Sequence, residues 1–415
     1  MSSTTATWNR LPAILLGGGR NALSVARSLG RKGIKVYAIS SVDDPVRFSR
    51  YAKWIDVPPD RTMEESWARY LLGPESEWLK GSVLLSTSDA GILLLNERRK
   101  DLEGKFILDE SNPAAQIRML YKLSTYEEAR KAGVPTPRWW AARTLQQISD
   151  IRGELVFPLI VKPLLSHLFM QAFDNAKYLK VENYGELEDA YRKVQDAGLE
   201  CMLVEYIPGG DDLLCSYYTY IDAEGQPAFD FTKRVVRRYP KGMGLGCCHV
   251  TDHNPEVRDL GWKLFRSAGI YGMANAEFKR DPRDGQLKLI ECNARFTAAT
   301  NMAVAAGIDV GLYIYNRLTG GPPVPVNRYR EGLMLWDPYR DFLTFRERRA
   351  LGELTFVNWI HSIRLPLIFP VFAWDDPGPT WDFLRCAARA APRIILRRFG
   401  FASRVQKVAL SGQSR

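Results

Sequence analysis

The stretch 274–296 contains the residue types that chemistry on a phosphate group requires. It reads Ala-Asn-Ala-Glu-Phe-Lys-Arg, then Asp-Pro-Arg-Asp-Gly, then Leu-Lys-Leu-Ile-Glu-Cys-Asn-Ala-Arg-Phe, and Asp284-Gly285 is a tight-hairpin dipeptide. Strand side chains alternate between faces, so Glu291 and Asn293 point the same way, and the hairpin brings Glu277 to a similar level on the neighbouring strand. Three oxygen donors converge. Mg2+ takes hard oxygen ligands and commonly only one or two protein carboxylates, leaving positions for phosphate oxygens, and Mn2+ accepts the same donors. Arg295, two residues on, shares the face, and its guanidinium suits a transferring phosphoryl group or a substrate carboxylate. In isolation the same residues also read as two solvated edge glutamates and a turn-forming Asn.

A second basic cluster, Lys233, Arg234, Arg237 and Arg238, precedes Pro240-Lys241-Gly242-Met243-Gly244-Leu245-Gly246. A glycine loop beside cations suits a triphosphate or an acyl-phosphate intermediate, with a mobile surface hairpin as the alternative. No Gly-Lys-Ser/Thr follows, so it is not a Walker loop. Gly17, Gly19 and Ala22, with Asp43 downstream, satisfy the dinucleotide fingerprint G-x-G-x-x-A and keep a nicotinamide-dependent oxidoreductase open as an alternative. Cys247, Cys248, His249 and His253 match no standard tetrahedral zinc spacing.

These groups need elements to hold them. Apolar runs at 13–16 and 35–39 around Gly17-Gly18-Gly19 and a helical 22–29 form a βαβ unit, and a strand at 82–85 leads through Ser86-Thr87-Ser88-Asp89 into a helix. A parallel α/β domain over 10–112 is expected. A helix at 124–132, closed by Gly133, Pro135 and Pro137, precedes strands at 159–162, 201–206, 214–221 and 229–234, which predict an antiparallel α+β region over 113–320. Gly-Gly-Pro-Pro-Val-Pro at 320–325 reads as a linker to a separate module over 326–415.

The hairpin resembles the metal-binding strands of the ATP-grasp superfamily, carboxylate–amine ligase type, the D-aspartate ligase-like enzymes among them. There the second strand ends in Glu, any residue, Asn and a nearby Arg, as Glu291, Asn293 and Arg295 do. Tyr121-Lys122-Leu123-Ser124 is similar to the family's opening helix, whose lysine reaches the nucleotide, and Phe157-Pro158-Leu159-Ile160-Val161-Lys162-Pro163 to the strand delivering a second lysine to the phosphates. Met202-Leu203-Val204-Glu205-Tyr206-Ile207-Pro208-Gly209-Gly210 resembles the hinge strand that reads adenine, followed by Asp211 or Asp212 for the ribose. The resemblance implies ATP with Mg2+ or Mn2+ as cofactors. It implies a Rossmann-like pre-ATP-grasp domain, an ATP-grasp fold with a lid over about 135–207, and a C-terminal helical extension. It covers residues 11–320 and departs in the lid, where 164–173 has no glycine; Ser166, His167 and Lys177 take that place, with Lys177 assigned to phosphate. Lys233 and Arg237 join Arg295 as expected catalytic cations. The implied reaction joins a small carboxylate to an amine through an acyl phosphate, releasing ADP and phosphate, with a non-catalytic nucleotide-binding scaffold as the other alternative.

Composition agrees with a folded enzyme of two or three domains: 46% hydrophobic and 25% charged over 415 residues. The absence of an apolar N-terminal run and of a spanning segment, and six cysteines without a disulfide pattern, set the expectation of a cytoplasmic protein. Much of the formal charge of +10 lies after Trp381, so no nucleic-acid module is expected. Arg385, Arg389 and Arg393 at four-residue spacing predict a basic amphipathic helix. It either docks on the enzyme's own body or on a homodimer partner, or touches the inner membrane face peripherally.

Overall fold

The computed structural model describes residues 8–164, 169, 172, 173 and 176–398, with side chains of the last helix described to Ala388. Ser166, His167, and the side chains of Arg389 and Arg393 lie outside the described residues.

Five short apolar segments form a parallel sheet: β1 (Ala13–Leu16), β2 (Val36–Ile39), β3 (Lys53–Ile55), β4 (Val83–Ser86) and β5 (Ile107–Leu108), in the order β3-β2-β1-β4-β5. Every β1 residue is buried, as a parallel sheet covered on both faces requires. Burying a side chain such as Leu15 or Leu16 contributes about 1.5–3 kcal/mol. The helix Gly19–Gly30 follows β1, and Asp89–Glu97 follows β4 with Ser88 as its N-cap.

β6 (Trp139–Trp140), β7 (Leu159–Pro163), β8 (Leu179–Val181) and β9 (Cys201–Glu205) form a small antiparallel sheet, ordered β6-β9-β7-β8. The third sheet is built from β10 (Leu214–Ile221), β11 (Phe231–Tyr239), β12 (Leu245–Asp252), β13 (Gly272–Arg280), β14 (Leu287–Asn293), β15 (Met334–Trp336) and β16 (Leu367–Ile368). Its order is β14-β13-β10-β11-β12-β15-β16. Tyr218, Phe231 and Phe296 share one apolar core with Leu15, Val25 and Val36, which joins this sheet to the parallel one. The opposite face packs on the helices Lys122–Lys131 and Pro255–Ala268 through Tyr126, Leu264 and Phe265.

The segment after the proline-rich linker is not a separate module. Leu333–Trp336 is an apolar run that pairs with the open edge of β12, so β15 and β16 complete the sheet. The helix Pro338–Ala350 is pinned to β11 by Arg237 and Asp341, and Asp376 reaches Arg27 at 2.9 Å and Ser49 at 2.7 Å beside the parallel sheet. The last helix runs Gly378–Arg398. Among the described residues no helix is long and apolar enough to cross a membrane.

Candidate active site

The hairpin turns at Gly285, whose φ of 72° is a conformation glycine adopts without strain, and it pairs Glu277 with Glu291 and Asn275 with Asn293. Directly opposed residues of antiparallel strands project to the same face, so both carboxylates stand together. The row continues through Ser216 on β10 to Lys233 on β11. A register shift follows Glu277 and leaves Ile290 without a partner. Its carbonyl accepts from Lys162 Nζ at 2.6 Å and from the Tyr126 hydroxyl at 3.1 Å. The bulge therefore holds the β7 lysine against the hairpin.

Lys122 opens its helix and lies 3.4 Å from Glu291 Oε1. Burial alone would raise the Glu291 carboxyl, but Lys122, Lys177, Lys162 and Arg295 outweigh it and bring the group down to about 2. Glu291 is therefore ionised at neutral pH, with Lys122 beside it and the Lys162 ammonium on the adjacent Ile290 carbonyl. Glu277 makes no ion pair or hydrogen bond among the described residues. Asn293 donates its amide to Asn275 Oδ1 at 3.0 Å, and Asn275 donates to the Tyr217 carbonyl at 3.1 Å, which leaves the Asn293 oxygen as its free end. Two carboxylates and an amide oxygen are hard donors that fit Mg2+ or Mn2+. Among the described residues no group of three or more His, Cys, Asp or Glu side chains is placed to hold a metal ion, so any cation here rests on this mixed set.

Arg295 pairs with Asp89 at the first turn of the helix after β4, with Nη2 3.2 Å from Oδ2. Both residues line a cleft of about 1160 Å³ that also takes in Gly18, Asn21, Thr87 and Ser88 from the N-terminal sheet's loops and the outer faces of the helices Met63–Leu72 and Asp89–Glu97. The arginine stands between this cleft and the lysine–carboxylate cluster.

Lys233 is brought to the same face, buried between Ser216 Oγ at 3.2 Å and His249 Nδ1 at 3.3 Å. Burial and the Lys233 charge hold His249 well below the ordinary imidazole range, so it is neutral. Arg237 is not brought to the site. Its guanidinium binds both Asp341 oxygens, at 2.6 and 2.9 Å, with the two side chains 4% and 0% exposed. Register shifts on either side of Arg237 break the alternation that would have aligned it with Lys233.

Glu205 closes β9, where its carboxylate accepts from the Arg138 backbone N–H at 3.0 Å and pairs with Arg283 at 2.7 Å. The side chain is thus occupied, and the Glu205 backbone N–H donates to the Arg138 carbonyl at 2.8 Å. Tyr206 lies under Lys180 at 4.5 Å, and Lys279 donates to the carbonyls of Ile207 at 2.8 Å and Gly209 at 3.1 Å. Asp212 is exposed, whereas its neighbour Asp211 is buried in ion pairs. Sequence reasoning missed Asp89, Asn275, Ser216 and Lys279. Asn275 was within reach, because it alternates with Glu277 on one strand face.

The glycine turn after β1 does not offer an open dinucleotide site. Asp44 Oδ1 accepts from the Gly19 N–H at 2.7 Å, placing a protein carboxylate at the helix N-terminus where a pyrophosphate would sit. Cys247 and Cys248 are fully buried, and burial pushes the Cys248 thiol up to about 12.

No family model matches the chain. The D-aspartate ligase of Enterococcus faecium (strain Aus0004) is 24% identical over 316 residues, covering 72% of this chain and 75% of that protein. Among solved structures, the N5-carboxyaminoimidazole synthetase of Staphylococcus aureus complexed with ADP superposes with a TM-score of 0.59 at 18% identity, over 77% of this chain and 80% of that one. The biotin carboxylase domain of the Hydrogenobacter thermophilus 2-oxoglutarate carboxylase, in complex with MgADP, ADP and bicarbonate, gives 0.60 at 18% identity, over 79% and 74%. These proteins share with the chain a mixed α/β fold of parallel and antiparallel sheets.

Proposed function

We propose that this chain is an ATP-dependent ligase of the ATP-grasp, carboxylate–amine type that forms a carbon–nitrogen bond. A carboxylate substrate attacks the γ-phosphate of ATP to give an acyl phosphate and ADP, and an amine then displaces phosphate to form an amide. The observation that carries this reading is the pairing of Glu277 with Glu291 across the hairpin, with Lys122 3.4 Å from Glu291, Lys162 on the adjacent Ile290 carbonyl at 2.6 Å and Arg295 four residues past Glu291.

In this reading the parallel sheet is the pre-ATP-grasp domain, the four-stranded sheet is the lid, and the C-terminal segment is an extension docked on the parallel and seven-stranded sheets. The three lysines hold phosphate oxygens, and the backbone of Glu205, Tyr206 and Ile207 with the Asp212 carboxylate holds the nucleoside. Glu277, Glu291 and Asn293 would hold Mg2+ or Mn2+, which when bound neutralises phosphate charge. Arg295, fixed by Asp89, orients the acid at the mouth of the cleft, and Lys233 faces the charge that develops on transfer. The protein works by positioning and neutralising charge. The half-buried Asp44 carboxylate at the glycine turn counts against the oxidoreductase alternative.

The test is hydroxylamine trapping across a panel of amino acids and small acids, headed by D-aspartate because a D-aspartate ligase is similar over most of the chain. The expected result is a hydroxamate that needs both ATP and one class of acid, with ADP as the nucleotide product. Arg295→Lys keeps the charge but loses the fork, so it should lower turnover more than ATP affinity. Release of AMP and pyrophosphate would overturn the acyl-phosphate mechanism.

A further inference from the structure

The nucleoside end of the site receives a contact from far along the chain. Immediately after Gly210 the chain enters the one-turn helix Asp211–Leu213. Asp211 is 2% exposed, yet its carboxylate is held from two directions. Arg238 donates its Nε to Oδ1 at 3.0 Å and its backbone N–H to Oδ2 at 3.2 Å, and Arg348 Nη2 donates to Oδ2 at 2.6 Å. Arg348 belongs to the helix Pro338–Ala350 in the C-terminal segment, which Arg237 and Asp341 clamp to β11.

The turn so fixed is tight. Gly209 has a φ of 90°, and a side-chain carbon on Gly210 would fall 2.3 Å from Asp212 Oδ1, so the Asp212 carboxylate folds back over the glycine. Its direction is set by the turn that Asp211 anchors. Arg238 alone leaves Oδ2 with one longer backbone contact. With Arg348 in place both oxygens are engaged, and the carboxylate plane cannot rotate.

We propose that Arg348 is a positioning residue for the nucleotide: by locking Asp211 it aims Asp212 at the ribose, so the C-terminal segment supplies part of the site's ribose recognition. This rests on the proposed role of residues 205–212 in holding the nucleoside. Arg348 itself touches no substrate. Its effect passes through one carboxylate and one turn, so it should alter recognition of a ribose hydroxyl and not of the phosphates.

The experiment measures dissociation constants of ATP and 3′-deoxyATP for the full chain and for Arg348→Met, Arg348→Lys, Glu353→Gln and Lys162→Met. Glu353→Gln removes only the exposed pair with Lys241 beyond the end of the same helix. Arg348→Met should weaken ATP about five- to tenfold, the scale of one ordinary hydrogen bond, while 3′-deoxyATP changes far less. The KM for ATP should rise more than kcat falls. Arg348→Lys should lie between wild type and Arg348→Met, and it carries the same comparison should Arg348→Met fail to fold. Glu353→Gln should match wild type. Equal weakening of both nucleotides, or of neither, overturns the proposal. If Lys162→Met weakens ATP and Arg348→Met does not, the proposal alone falls; if neither variant weakens ATP, it falls together with the nucleotide reading.

Discussion

Replacing Glu291 by glutamine keeps the size of the side chain and removes its charge, and the structure specifies what that does. At 3.4 Å the attraction between Lys122 and Glu291 is roughly 5 kcal/mol at an effective dielectric of about 20. Most of that is offset by the cost of taking both groups out of water. The variant should therefore lose about 1–3 kcal/mol of stability without ligand, on the scale of a charged hydrogen bond. Burial opposes ionisation, yet the surrounding cations bring the carboxyl down to about 2 from 4.5, so its contribution is complete above pH 4.5 and fades as pH falls towards 2. The stability of Glu291→Gln should be correspondingly less sensitive to acid. ATP binding should change in the opposite sense when metal is withheld. Metal-free ATP meets the Glu291 charge in the wild type, and removing a repulsion of about 1–2 kcal/mol should tighten it roughly five- to thirtyfold. Mg2+ should then add little to the affinity of the variant. Titration calorimetry with ATP in EDTA and in excess Mg2+ measures both effects. An Mg2+ increment in ATP affinity equal to that of the wild type would refute the reasoning.

Lys162→Met should weaken ATP by about 1.5–3 kcal/mol with little loss of unliganded stability, since Lys162 donates only to a carbonyl and a hydroxyl; equilibrium titration checks the first and urea unfolding the second. Arg237→Met leaves the buried Asp341 without its cation and should cost about 3–5 kcal/mol of stability without changing ATP affinity, as read by urea midpoints and nucleotide titration. A large loss of ATP affinity in a folded Arg237→Met protein would return that residue to the site. Burial brings the Lys279 ammonium down to about 8. Between pH 8 and 10.5 the unfolded chain keeps a proton that the folded one has shed, so this group makes stability rise with pH, and Lys279→Met should flatten that slope in pH-dependent unfolding.

The hairpin that pairs Glu277 with Glu291 was legible because its information is local: a two-residue turn fixes the register, and the register fixes which side chains share a face. Lys122 and Lys162 were legible only through resemblance, since nothing in their flanking residues says which acid or carbonyl they meet. Arg237 shows where alternation fails. Four residues from Lys233 it should share the face, but irregular register at Val235 and Arg237 turns it towards Asp341, and such a bulge leaves no compositional trace. Asp89 lay in a recognisable helix start, yet its partner is 206 positions away. The linker at 320–325 is legible as irregular chain from its glycines and prolines, whereas the docking of the C-terminal segment depends on pairing with the edge of β12 and on buried ion pairs, neither of which spacing encodes.

The site is arranged for exchange of partners. Lys162 rests on neutral acceptors, the Ile290 carbonyl and the Tyr126 hydroxyl, and can leave them for phosphate at little electrostatic cost. Lys122 rests on Glu291, and neither could leave alone without stranding a charge in a poorly hydrated place. With the proposed roles, a nucleotide arriving with a divalent cation would resolve this, because the lysine would pass to phosphate as the carboxylate passed to the metal. Lys122, Lys162, Lys177, Lys233 and Arg295 outnumber Glu277, Glu291 and Asp89 by two, an excess that suits a polyanion whose charge the metal only partly offsets. Free nucleotide leaves Glu291 unpaired, and free metal leaves the lysines unpaired. Each should therefore bind weakly alone and well together, and the coupling between them should disappear in Glu291→Gln.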